Sequence, residues 1–392
     1  MAKTDRLIAL DVGRAIAIIG VIAVHLYPWI PGLPYWLSLP AKSGEYGVQL
    51  FFVISAFTIC KSLSDDRKKG IETAALVQRF YLKRFARIVP LYYVGIVFYG
   101  LIDLIATKTV HSGVLSVHSS WDILANVLFV HSLVPTAINS VVPGGWSIGV
   151  EMAFYVVAPA LFAMSGKPQG LWITAVAALF ICYGADLMAL YLTDQSSVIH
   201  GSFFYYWPPT QFPCFVLGIV MWRCWKPVVN GERQRRRIAI FAWLGMAFGY
   251  PALLVSGVGL NMSPGIAPFI AAVTAASLLL LLLSAHQTSA TVSFLQKIGE
   301  RSYGVYIWHF VGIFILRIIF KHSIALSIIP PTYSFVFGMA LVLAFAYKVA
   351  GYSEQFIEKP FSRWTNEKLL GSAISSNRAS PVGRRETPEK AS

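Results

Sequence analysis

Three ionisable residues interrupt one apolar stretch near the start of the chain: Asp11, Arg14 and His25 in LDVGRAIAIIGVIAVH. At 100° per residue they fall at about 0°, 300° and 320°, so they form one stripe on one helix. Arg14 and His25 are three turns apart, about 16 Å along the axis. A histidine can exchange a proton near neutral pH, and an arginine can hold an anion through a planar fork. Ionisable groups inside a membrane span are costly and mark function by default. An Asp11–Arg14 ion pair plus an interfacial histidine is the plainer account. A stripe across half a bilayer fits better with lining a cavity.

Three further clusters have comparable content. RFYLKRFARIVPLYY puts Arg84 and Arg87 three apart, neighbours on one helix face, with Arg79 and Lys83 beside them. Paired arginines suit bidentate phosphate recognition, although basic residues at a span end also set topology. PGGWSIGVEMAFYVVAP puts Ser147 and Glu151 on one face, with Trp146 expected at the outer interface. A carboxylate one turn into a bilayer requires an arginine, a histidine or a substrate hydroxyl as partner. In SYGVYIWHF, Tyr303, Tyr306 and His309 recur every three residues, which an interfacial aromatic patch would also explain. The sequence contains no metal-ligand spacing, GxSxG elbow or P-loop. Cys60, Cys182, Cys214 and Cys224 lie in or beside apolar stretches without CxxC spacing, which predicts buried thiols.

The elements that must position these residues follow from composition. The 392 residues are 56% hydrophobic and 13% charged, with a mean hydropathy of +0.62. Soluble domains average about 45–50% apolar and about 25% charged, so the chain is a polytopic membrane protein. Apolar runs long enough to span occur near 7–28, 45–63, 88–107, 146–166, 171–193, 206–224, 237–257, 264–285, 303–320 and 333–352. This predicts an all-α bundle of about ten transmembrane helices with both termini cytoplasmic. The N-terminal run, interrupted by Asp11 and Arg14 and lacking a small-residue cleavage site, does not read as a cleaved signal peptide.

An eleventh stretch, 121–137, carries Asp122, Asn126 and His131. With ten crossings, 26 of the 32 lysines and arginines face inward, as the positive-inside rule demands. Crossing at 121–137 would turn the Arg233–Arg237 run outward, so this stretch reads as an outer-face or re-entrant helix. Residues 1–365 form the membrane domain, and the Ser-, Arg- and Pro-rich 366–392 reads as a disordered cytoplasmic tail. The net charge of +14 is spread over several loops without a folded domain to present it, which excludes nucleic acid. Cations inside and a histidine and a glutamate outside suit transfer from a phosphorylated donor to an outward-facing acceptor. A secondary transporter or glycan flippase is the alternative use of intramembrane charge, and a lipid-binding scaffold is a further one.

The motifs resemble the acyltransferase 3 family of multispanning bacterial membrane enzymes. The matching pieces are Arg14-x10-His25, FFVISAF at 51–57, RFAR at 84–87 with Pro90, WSIGVE at 146–151 and SYGVYIWH at 302–309. Ala56 stands where the family usually has glycine, which allows less close helix packing. No hydrolase-like domain is appended, so transfer is expected to be completed by the membrane unit or a separate partner. The resemblance implies O-acylation from acyl-CoA, most often acetyl-CoA, entering from the cytoplasm, with no permanently bound cofactor. The acceptor would be a hydroxyl of lipopolysaccharide, capsule, exopolysaccharide, peptidoglycan, a lipo-oligosaccharide or a macrolide, and the location a bacterial inner membrane. Carried over, His25 is the catalytic histidine and Arg14 its partner, with Glu151 beside them. Arg84 and Arg87, with Tyr303 and His309, are expected at the donor, and Trp146, Ser147 and Asp11 at the substrate.

Overall fold

The computed structural model describes residues 8–109, 118–192, 203–228, 232–256, 264–284, 289–322 and 329–368. Among the described residues the regular elements are all helical. In lipid this is forced: a helix satisfies its backbone N–H and C=O groups within one segment. The α-helices are α1 Ile8–Leu26, α2 Tyr35–Ser43, α3 Gly47–Lys68, α4 Thr73–Thr109, α5 Ser120–Val127, α6 Trp146–Met164 and α7 Pro168–Leu192. They continue with α8 Phe203–Tyr206, α9 Pro208–Val228, α10 Glu232–Ser256, α11 Ile266–Ser284, α12 Ala290–Glu300, α13 Ser302–His322 and α14 Pro331–Ser353.

Nine segments are long and apolar enough to cross a membrane among the described residues, and the chain is a multi-pass membrane protein. The tenth expected span is present as α9, which starts with the buried polar residues Thr210 and Gln211. It packs among α3, α7 and α11, so its polar start faces protein and Gln49 Nε2 donates to Gln211 Oε1 at 3.0 Å. Helix α4 is 37 residues long, about 55 Å, against a hydrocarbon core of about 30 Å. Arg84 and Arg87 therefore sit inside a continuous helix that overshoots the expected 88–107 at its start.

Helix α1 is enclosed by α3, α11, α12, α13 and α14, which is why a helix bearing three ionisable residues can lie in the bundle. Ala56 of α3 meets Gly218 of α9, where an added Cβ would lie 2.7 Å from the Ala56 Cβ. The glycine that lets these two helices approach therefore stands on α9, opposite the alanine methyl of α3.

The stretch at 121–137 is not one helix. Helix α5 is capped by Ser119 and Asp122 in a reciprocal box and ends at Val127. Phe129 then turns the chain with φ of 60°. A left-handed non-glycine residue costs about 1–3 kcal/mol; here ring packing on Tyr92 and Tyr93 holds it. A single turn at His131–Leu133 follows. The loop then packs against α4 at Tyr92: its hydroxyl donates to Asn126 Oδ1 at 2.8 Å and would lie 2.9 Å from a Cβ at Gly145, whose carbonyl accepts from His131 Nε2 at 2.9 Å. Irregular backbone at this depth is tolerated because protein surrounds it.

Helix α12 lies alongside α1. Beyond α14 the chain makes a π-helix at Glu354–Glu358 and stays helical to Lys368. The expected tail at 366–392 lies, from residue 369, outside the described residues. Cys60, Cys182 and Cys214 are buried free thiols; the side chain of Cys224 lies outside the described residues.

Candidate active site

The basic cluster on α4 divides in two. Asp66, at the end of α3, takes Lys83 at 2.7 Å and Arg79 at 4.0 Å. Arg84 and Arg87, farther round the helix, have no hydrogen bond or salt bridge among the described residues. The Arg84 guanidinium instead lies 5.9 Å from the Phe80 ring centroid and 5.8 Å from that of Tyr155, with its Nε buried and unpartnered. Basic residues that serve only topology need no such shelter.

Arg84 and Arg87 line a cavity of about 70 Å³, together with Arg14, Ser55, Thr58, Ser147, Glu151, Tyr155, Tyr303 and Tyr306. Arg14 is fixed by Asp11 Oδ1 at 2.8 Å and Thr58 Oγ1 at 2.9 Å. Asp11, fully buried, thus orients Arg14 and is not among the residues lining the cavity. Tyr303 donates to Ile88 O at 2.8 Å, which ties α13 to α4 at the arginine level. A second, wider cavity of about 420 Å³ shares Arg14, Arg87 and Tyr303 with the first and opens among Glu300, Arg301, Glu354, Glu358 and Lys359.

The far wall of the narrower cavity is the start of α6. Glu151 Oε1 accepts from Tyr155 at 2.7 Å and also from Ser55 Oγ. The Ser147 hydroxyl lies 2.8 Å from the Tyr306 hydroxyl, which donates to Gly144 O at 2.8 Å. Gly144 has φ of 74°, a conformation glycine adopts without a Cβ penalty. Trp146 is enclosed by protein rather than exposed at the bundle surface: it is buried against Phe52, Tyr205 and Tyr206. The reason is the ingoing loop, which starts α6 inside the bundle rather than at its edge.

His25 lies elsewhere. It does not line either cavity, so the Arg14–His25 stripe does not face one continuous space. His25 packs against the His309 ring, centroids 5.5 Å apart and 10° from parallel, and against Phe310 at 4.5 Å. His309, expected with the arginines, is thus a neighbour of His25; two turns of α13 lift it above Tyr303. Its Nδ1 donates to Tyr306 O at 2.7 Å, leaving Nε2 buried without a partner. One helix turn separates the Tyr306 hydroxyl, at the cavity wall, from the His309 ring against His25. Sequence reasoning misses Ser55, Thr58 and Tyr155 of the cavity wall. Their signal is hydroxyls inside apolar spans, at three-residue spacing for Ser55 and Thr58. Among the described residues no group of three or more His, Cys, Asp or Glu is placed to hold a metal.

A family profile described as an acyltransferase domain matches residues 7–350. The chain belongs to the acyltransferase 3 family. Peptidoglycan O-acetyltransferase OatA of Listeria monocytogenes is 26% identical over 388 residues, covering 91% of this chain and 56% of that protein. O-acetyltransferase OatA of Staphylococcus aureus is 24% identical over 372 residues, covering 90% of this chain and 57% of that protein. Acyltransferase MdmB of Streptomyces mycarofaciens is 28% identical over 290 residues, covering 69% and 68%. The chain therefore spans little more than half the length of the two OatA relatives. No solved structure matches it. This acyltransferase 3 chain carries Arg14, His25, Arg84, Arg87 and Glu151 on three helices, α1, α4 and α6, around two adjacent cavities and the neighbouring histidine pair.

Proposed function

We propose that this chain is an O-acyltransferase, moving an acetyl group from cytoplasmic acyl-CoA to a hydroxyl of an extracytoplasmic carbohydrate across a bacterial inner membrane. The observation that supports it most is the Arg84–Arg87 pair, without a salt bridge, in a cavity whose opposite wall is Ser147, Glu151 and Tyr306. A phosphorylated carrier would be held at one end by charge-assisted hydrogen bonds, and its acyl end would be delivered toward the other. The excess of cations at the arginine end favours a cytoplasmic mouth there. The name of the Listeria monocytogenes relative makes peptidoglycan the first acceptor to test.

In the direct route His25 takes the proton of the acceptor hydroxyl while its oxygen attacks the thioester carbonyl carbon. The C–S bond breaks, and coenzyme A leaves as the thiol after the proton is returned to sulfur. Arg14, held by Asp11 and Thr58 three turns below His25, would offset charge on the donor rather than at the reacting carbonyl. His309, whose ring is stacked on His25 and fixed by its own bond to Tyr306 O, would align His25 by packing. In the two-step route His25 itself carries the acyl group between donor and acceptor. The assay is mass spectrometry of surface glycans from a deletion strain complemented with wild-type or His25→Ala protein at equal membrane abundance. Loss of the acetyl increment with His25→Ala is expected. Wild-type acetylation by that variant would remove His25 from the chemistry, and an acyl group trapped on His25 would select the two-step route.

A further inference from the structure

The wider cavity contains a second pair of cations that the reading above leaves unused. Arg301, at the junction of α12 and α13, stacks with its guanidinium carbon 4.7 Å from the Tyr347 ring centroid. It lies over Gly351, where a Cβ would sit 3.2 Å from Nη1. Its Nε donates to Glu354 Oε2 at 2.8 Å. Neither Nη has a hydrogen-bond partner among the described residues, so the end of the fork is held in place but unfilled. Lys359 Nζ sits 3.0 Å from the other oxygen, Glu354 Oε1. One carboxylate thus aligns two cations on the same wall. The π-helix at Glu354–Glu358 makes this possible: widening the turn alters the register of Lys359 relative to Glu354, and such bulges recur at functional sites. Both cations line the cavity that Arg14 and Arg87 share with the narrower one.

Coenzyme A has two anionic centres, a diphosphate next to the pantetheine arm and a 3′-phosphomonoester on the ribose. The thioester end must pass toward Ser147 and Glu151, so the diphosphate belongs nearest the narrower cavity, at Arg84 and Arg87. The phosphomonoester then falls in the wider space beyond. Resting on the acyl-CoA reading, we propose that Arg301 and Lys359 form the subsite for the 3′-phosphate, with Glu354 as the residue that positions both. A monodentate contact to Glu354 through Nε leaves the Nη pair for bidentate capture of a phosphate, the geometry arginine favours.

The test is calorimetric titration of the full chain in nanodiscs with coenzyme A and with 3′-dephospho-coenzyme A. The wild type should prefer coenzyme A by about tenfold or more, the scale of one charge-assisted hydrogen bond. Arg301→Ala should bring the two affinities close together, and Arg301→Lys, which keeps the charge but loses the fork, should fall between. Lys359→Ala, whose side chain is 56% exposed, tests the same subsite should Arg301→Ala fail to fold, and should also shrink the preference. Equal binding of both ligands by the wild type would overturn the subsite and leave the donor reading standing. So would a preference that survives both alanine variants. Binding of neither ligand by the wild type would overturn the donor reading itself.

Discussion

Tyr306→Phe separates the site from the scaffold. The Tyr306 hydroxyl accepts from Ser147 and donates to Gly144 O, both at 2.8 Å, and it lines the cavity. Phenylalanine keeps the ring and removes both bonds, leaving Gly144 O with the Ser147 hydroxyl at 3.2 Å. At about 0.5–1.5 kcal/mol net for each buried hydrogen bond, the loss is about 1–3 kcal/mol. If that energy holds the Gly144–Ser147 turn against the reacting groups, kcat/KM falls about 5- to 150-fold. Tyr99→Phe is the matched control. It removes a buried hydroxyl that bonds Ile307 O at 2.7 Å, on the same helix α13, but Tyr99 does not line the cavity. Its stability cost is about half as large by the same count, and its activity per folded molecule should match the wild type. Acetylation of surface carbohydrate is measured in a complemented deletion strain, normalised to folded protein by fluorescence-detected gel filtration. Equal activity losses per folded molecule in the two variants would refute the reasoning, as would full activity in Tyr306→Phe.

Arg84→Ala with Arg87→Ala should raise the KM for acetyl-CoA at least tenfold while Lys83→Ala, whose charge Asp66 already meets, leaves it nearly unchanged; steady-state kinetics in membranes read both. His309→Phe keeps a ring against His25 but loses the bond to Tyr306 O; acetylation should fall at least tenfold with abundance retained, a loss within the range of general acid–base assistance. Gly218→Ala should destabilise the bundle by about 1–3 kcal/mol through overpacking, chiefly against the Val53 carbonyl oxygen and also against Ala56, seen as a lower melting temperature that Ala56→Gly in the same chain does not restore.

Several features were legible without tertiary information because they are local. Nine of the ten expected spans are found as helices long and apolar enough to cross, because they are set by runs of apolar residues, which lipid rewards independently of their neighbours in space. The Asp11–Arg14 pair follows from helix periodicity alone and is observed at 2.8 Å. The division between span and inward stretch at 121–137 could be drawn from charge, but its shape could not. A helix over Ser120–Val127 and a left-handed Phe129 depend on Tyr92 and Tyr93, residues of another helix. Trp146 was expected at an interface for the same reason: aromatic type reports preference for a boundary, whereas burial depends on where the preceding loop goes.

The sequence by itself determined that this is a helical membrane protein with a small set of ionisable residues held at a cost. Those residue types, at those spacings, already limited the chemistry to proton transfer and anion binding. Only the tertiary structure decided which charges are spent and which remain. Asp66 satisfies Lys83 and Arg79 but not Arg84 and Arg87, although all four share one short stretch of one helix. It also decided that His309 belongs with His25 and not with the arginines, because two turns of α13 separate Tyr303 from His309 while α1 crosses at the upper level. The physical reason is range. Helix formation and insertion are fixed by residues a turn apart, but the partner of a charge is fixed by which helices pack face to face.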